Sequence, residues 1–183
     1  MVQIAPINFG LIIAYVLPGT VGIYSLRYLS DHVNLLWQAL ESGQAMAGPL
    51  VVLGIASLVV GLTVSSLRVV VLEGIFYRTG VRKATISYEK IAAAEKLELF
   101  KEMVENVYRY HQFYGNVMLS LLFFSVVRYT VVKAPIFDSV KNFLLFATLV
   151  LGIITLTIAA RKLLADVHKA IDDLCRSNVL VGG

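Results

Sequence analysis

Charge is scarce in this chain. Asp, Glu, Lys and Arg make up 15% of its 183 residues, where a soluble domain carries about 25%. Acidic residues are the scarcer sign, 12 against 16 basic. None falls in residues 7–26, 47–67, 113–132 or 142–160, and Arg128 is the one charge inside those four runs. A chain so poor in charge and so rich in apolar residues is not disordered. Cysteine is nearly absent too. The single Cys175 excludes a disulfide scaffold, and it reads as a packed thiol beside an apolar seam. His32, His111 and His168 lack the His-x-x-x-His or Glu-x-x-His spacing that would put two metal ligands on one helix face. There is no Gly-rich phosphate loop and no pair of carboxylates in an apolar run for proton coupling. These absences leave no catalytic residue, no metal site and no cofactor to expect.

What is abundant is apolar chain: 58% hydrophobic residues and a mean hydropathy of +0.78. A helix needs about 20 mostly apolar residues to cross the hydrocarbon of a bilayer. The four runs meet that length, and 183 residues hold too little polar chain to cover four such helices as a soluble core. The expected fold is therefore all-α: an integral membrane protein with four transmembrane helices and helical extensions packed as a small cytoplasmic bundle. Along the chain this gives a first hairpin with a short outer helix (1–67), a cytoplasmic helical segment (68–112), a second hairpin (113–160) and an amphipathic C-terminal helix (161–183). Residues 1–10 hold no Lys or Arg, so the first run is expected to be a span and not a cleaved signal peptide. Pro18 and Gly19 sit inside that run. Proline frees a backbone carbonyl, which a neighbouring helix or a hydroxyl must then satisfy.

Orientation follows from the basic residues. Arg68, Arg78, Arg82, Lys83, Lys90, Lys96, Lys101, Arg109, Arg161, Lys162, Lys169 and Arg176 lie on one side of the expected topology. Only Arg27, Arg128, Lys133 and Lys141 lie on the other. The richer side is the cytoplasm, so both termini are expected there and the protein in an inner (plasma) membrane. A net charge of +4 needs no nucleic acid to explain it once this bias is recognised. Tyr24, Tyr28, Trp37 and Tyr129 suit the outer interface, and Tyr77, Tyr108, Tyr110 and Tyr114 the inner one.

Between the runs, Leu35, Leu36, Ala39 and Leu40 recur at helical spacing and end at Ser42-Gly43, which predicts a short amphipathic helix on the outer surface. The second run continues without a strong breaker to Tyr77, and Thr79-Gly80 stops it. Ser87 is a fitting N-cap for a further helix running into the third run. On that helix Leu97, Phe100 and Val104 belong to one apolar seam. After the fourth run Val167, Ile171 and Leu174 form another, and the two seams are expected to pack together.

Three sets of residues are candidates for function. Gln112, Asn116 and Ser120 form a polar stripe at membrane depth, expected to bond to other helices or to line a wet path. They continue a charged stripe of Glu98, Glu102, Glu105 and Arg109, which reads as a solvated face able to take part in gating or partner binding. Gly54, Ser57, Gly61 and Ser65 form a small-residue face suited to close helix packing. Arg68 and Glu73 are further candidates for gating or partner binding; five apart, they lie too far round an α-helix to pair well, so each calls for another partner.

The function expected from this pattern is that of a small, non-enzymatic, homo-oligomeric membrane protein forming a channel-like path gated through its cytoplasmic bundle. Microbial stress and antiviral systems use membrane components of this build, which is an analogy of architecture only. The alternative is a membrane anchor or sensor for a soluble cytoplasmic protein. A transporter or enzyme for a hydrophobic substrate ranks third.

Overall fold

The computed structural model describes residues 12–42, 47–85, 94–103 and 107–176, and every regular element among them is helical. Helix α1 (Leu17–Leu26) continues a π-helical turn, Ile12–Val16. Helix α2 (Asp31–Glu41) is the expected amphipathic piece; Asp31 in its first turn suits the helix dipole. Helix α3 (Ala47–Leu67) passes through a π-helical segment, Arg68–Glu73, into α4 (Gly74–Arg78). Helix α5 covers Ala94–Met103. Helix α6 (Arg109–Val126) ends in a π-helical turn, Val127–Val131. Helix α7 runs unbroken over 37 residues, Val140–Arg176, about 55 Å of helix.

Three continuous helices are long and apolar enough to cross a membrane: Ala47–Arg78, Arg109–Val131 and Val140–Arg176. The first apolar run is described as a shorter helix, Ala14–Leu26; residues 7–11 lie outside the described part. Large apolar side chains such as Val51, Ile55 and Val70 on the first of these helices, and Phe143, Leu151 and Ile158 on α7, are exposed, as the hydropathy of a lipid-facing surface requires.

Helix α1 packs between α3 and α6, and α6 packs on α7. The contact of α1 with α3 is backbone-close. A Cβ on Gly61 would lie 2.0 Å from the Tyr15 carbonyl oxygen, and one on Gly19 would lie 1.7 Å from the Ser57 carbonyl oxygen. The small-residue face thus serves a helix of the same chain, with Ser57, Gly61 and Ser65 buried. Gly54 does not belong to it. A Cβ there meets nothing within 4 Å, and Leu53 is the buried residue at that level.

The stop after α4 is the expected one, in Schellman form. Gly80 takes φ +105°, Val81 N–H donates to Phe76 C=O at 3.0 Å and Gly80 N–H to Tyr77 C=O at 3.4 Å. The turn folds Val81 back onto Phe76, and both join a buried cluster with Leu72, Met118, Ala160 and Leu164. This cluster lies at the end of the molecule that carries Arg78 and Arg161, here called the basic end. Beyond it Val167, Ile171 and Cys175 are buried against Ala84, Phe100, Val107 and Leu174. Of the seam expected on the helix before α6, Phe100 is packed there. Leu97 is 40% exposed and does not join it, because the described contact of α5 with α7 is narrow. Val104 and Ser87 lie outside the described residues.

Candidate functional site

The π-helical segment Arg68–Glu73 decides the geometry of the basic end. In an α-helix, residues five apart point about 140° away from each other. A π-helical register bonds residue i to i+5 and brings such positions onto one face. Arg68 Nη1 accordingly forms an ion pair with Glu73 Oε1 within the same helix, contrary to the expectation from α-helical spacing. The pair is shielded from solvent, with Arg68 1% and Glu73 7% exposed.

A buried ion pair must overcome a desolvation cost of several kcal/mol per ion, and it does so only with further hydrogen bonds. Those come from α4, from α6 and the residue before it, and from α7. Arg68 Nη1 lies 2.9 Å from His111 Nε2, and His111 Nδ1 lies 2.8 Å from the Ala160 carbonyl oxygen. A carbonyl can only accept, so Nδ1–H donates to it, and Nε2 faces both Arg68 Nη1 and Glu73 Oε1, the latter at 3.4 Å. The phenol of Tyr108 donates to Glu73 Oε1 and that of Tyr77 to Oε2, both at 3.5 Å. Tyr77 also lies 2.9 Å from His168 Nε2, while Ala84 N–H donates to His168 Nδ1 at 3.3 Å. His168 Nε2 then holds the proton and donates to the Tyr77 oxygen.

The chain of bonds thus runs from the turn after α4, through α7, to the π-segment and across α6 back to α7. The Arg68 stem reaches this position through a notch at Gly115. A Cβ there would lie 2.6 Å from Arg68 Cδ and 3.3 Å from Leu72 Cδ2. The Tyr108 ring lies below the guanidinium, 5.8 Å from centroid to Cζ.

No known protein family, curated protein or solved structure matches this chain.

The polar stripe on α6 is enclosed at two of its three positions. Asn116 and Ser120 are fully buried and Gln112 half-buried. Asn116 Nδ2 donates to the Ala14 carbonyl at 2.8 Å, a direct bond to the first apolar helix. Asn116 Oδ1 and Ser120 Oγ have no hydrogen-bond partner among the described residues. The charged stripe behaves as a solvated face where it is described. Glu98 pairs loosely with Lys101 at 3.8 Å with both side chains exposed, Glu102 is exposed and Arg109 half-buried. Glu105 lies outside the described residues. His111, His168, Tyr77, Tyr108 and Gly115 are cluster members that spacing rules alone do not single out. The available signal was the presence of Arg68 and Glu73 at the edge of an apolar run, which calls for partners on facing helices. The described residues hold no group of three or more His, Cys, Asp or Glu able to bind a metal.

The cluster has the chemistry of a structural lock. Its charged pair is internally neutral, its histidines are each fixed by two partners, and Arg68, Glu73 and His111 are closed off from solvent.

Proposed function

We propose that this protein is a non-enzymatic, four-span membrane anchor or sensor, with both termini in the cytoplasm of an inner membrane and its basic end serving a soluble cytoplasmic partner. The observation that carries this reading is the destination of the polar groups. Asn116, the residue best suited to line a path, is consumed by the Ala14 carbonyl inside one chain, and the small-residue face around Gly61 is consumed by α1. What remains available to other molecules is the basic end. Helix α7 continues for 16 residues past Ala160, about 24 Å. It buries Leu164, Val167 and Ile171 on one side and exposes Lys162, Asp166, Lys169, Asp173 and Arg176 on the other. The lock around Arg68 ties that extension to the apolar helices, so a partner pulling on it would act on the whole protein.

The test uses a photo-crosslinking residue at Asp173, and another at Val150 on the exposed apolar face, in native membranes. A stoichiometric soluble protein captured from Asp173 and not from Val150, together with no ion flux through proteoliposomes, is the expected result. Ion flux that Asn116→Leu blocks overturns it.

A channel-like homo-oligomer is the second reading. Gly54, exposed and without a neighbour within 4 Å, favours it by offering a flat patch for another chain. A monomeric mass in detergent removes this reading.

A further inference from the structure

We propose that the cavity between the Gly80–Arg82 turn and the outward side of α7 binds the phosphate of an anionic phospholipid. The cavity measures about 630 Å³, and its walls include Arg82, Arg161, Lys162, Lys169 and Arg176. Two carboxylates, Asp172 and Asp173, share those walls. Their placement sets where positive charge is left over. Asp172 and Asp173 stand three or four residues from both Lys169 and Arg176, within neighbour distance on a helix. They offset the two lower cations. Arg82 and Arg161 have no carboxylate within four residues, and Lys162 has one, Asp166, which lies off the cavity wall.

Depth selects a lipid over a soluble anion. Ile158 lines the cavity and is 63% exposed. It belongs to the same apolar surface as Leu151 and Ile154, where acyl chains would lie. Arg161 and Lys162 follow it by three and four residues, about 5–6 Å along the axis, which is headgroup depth. Lys169 and Arg176 stand about 12 and 22 Å below Arg161. The opening therefore grades from apolar to cationic in the order of a phospholipid's own chain and phosphate. The Arg161 guanidinium is held in place, since Nη2 donates to the Thr79 carbonyl at 2.6 Å. A guanidinium has five N–H groups, so donors remain for a phosphate. Basic pockets beside membrane helices are a recurrent way of holding acidic headgroups.

This proposal rests on Val140–Arg176 crossing a membrane and is independent of any protein partner. The full chain is purified in mild detergent and titrated with phosphatidylglycerol or phosphatidic acid, with phosphatidylcholine as reference, and bound lipid is counted by native mass spectrometry. Saturable binding of one acidic lipid, preferred over phosphatidylcholine, is expected. Arg82→Gln with Lys162→Gln should weaken it about 25-fold, at roughly 5-fold per cation near a headgroup. Lys162→Arg should retain it. Arg78→Gln with Lys83→Gln removes the same charge outside the cavity wall and should leave it within a few-fold. Equal loss from both double variants means diffuse attraction and overturns the site. Binding that inorganic phosphate displaces completely means a free-phosphate site and overturns the lipid. No preference over phosphatidylcholine overturns the proposal outright.

Discussion

The Asn116 side chain donates to the backbone carbonyl of Ala14 across 2.8 Å. Ala14 stands four residues before Pro18, which has no N–H to give it, and it lies in the π-helical turn Ile12–Val16, where Gly19 N–H is the main-chain donor in register. A side chain on α6 thus serves a main-chain carbonyl of the first apolar helix.

Asn116→Leu should cost about 1–3 kcal/mol, because it takes the side-chain donor away from a buried carbonyl. In a Pro18→Ala background residue 18 regains an N–H, and the cost of Asn116→Leu should shrink. A double-mutant cycle of thermal unfolding in detergent measures the coupling. Equal costs in both backgrounds would show that the amide bond and the proline are unrelated.

Glu73→Gln should destabilise the protein by about 3–5 kcal/mol, since it leaves the Arg68 charge buried without a counter-ion. Arg68→Met combined with Glu73→Gln should recover a large part of that loss. Denaturant unfolding of the two variants decides the matter; a double variant no better than the single one would count against the lock.

Gly61→Ala should destabilise by about 1–3 kcal/mol, the usual range for overpacking, because its new methyl meets the Tyr15 backbone, which cannot swing away as a side chain can. Gly115→Ala should push the Arg68 stem out of its notch and weaken the same lock. Gly54→Ala should stay within about 0.5 kcal/mol of the parent or better it, as expected for an open surface site. Thermal shift on the three variants reads the ranking directly.

Topology is open to cysteine labelling in a Cys175→Ser background. Gln38→Cys should react with an impermeant maleimide from outside intact cells, and Asp166→Cys only after permeabilisation. Reaction of Asp166→Cys in intact cells would reverse the orientation argued from the basic residues.

The helical class and the three long apolar helices were legible from hydropathy alone, because periodicity and charge density are properties of composition. So was the stop at Thr79-Gly80, where only glycine tolerates φ +105° without strain. The need to serve a carbonyl near Pro18 was legible as well, though its server was not. A hydrogen bond between positions 102 apart depends on which helices become neighbours. Arg68 and Glu73 misled for a local reason: angular arithmetic assumed an α-helix where the backbone is π-helical. Of the small-residue face, Ser57, Gly61 and Ser65 are buried, while Gly54 is exposed and Leu53 takes the buried position at its level. Leu97 shared the correct spacing with Phe100 yet stays exposed, because a seam is buried only as far as its partner reaches.

The π-helical pairing of Arg68 with Glu73 also bears on the order of synthesis. His111 follows Arg68 by 43 residues, about 2–9 s of translation. During that interval a lone arginine or glutamate at the edge of an emerging apolar helix would resist entry into lipid. Because the counter-charge lies on the same helix, the segment can neutralise itself before any later helix exists. The histidine, the tyrosines and the Ala160 carbonyl then close around a dipole already formed, not around two separate ions.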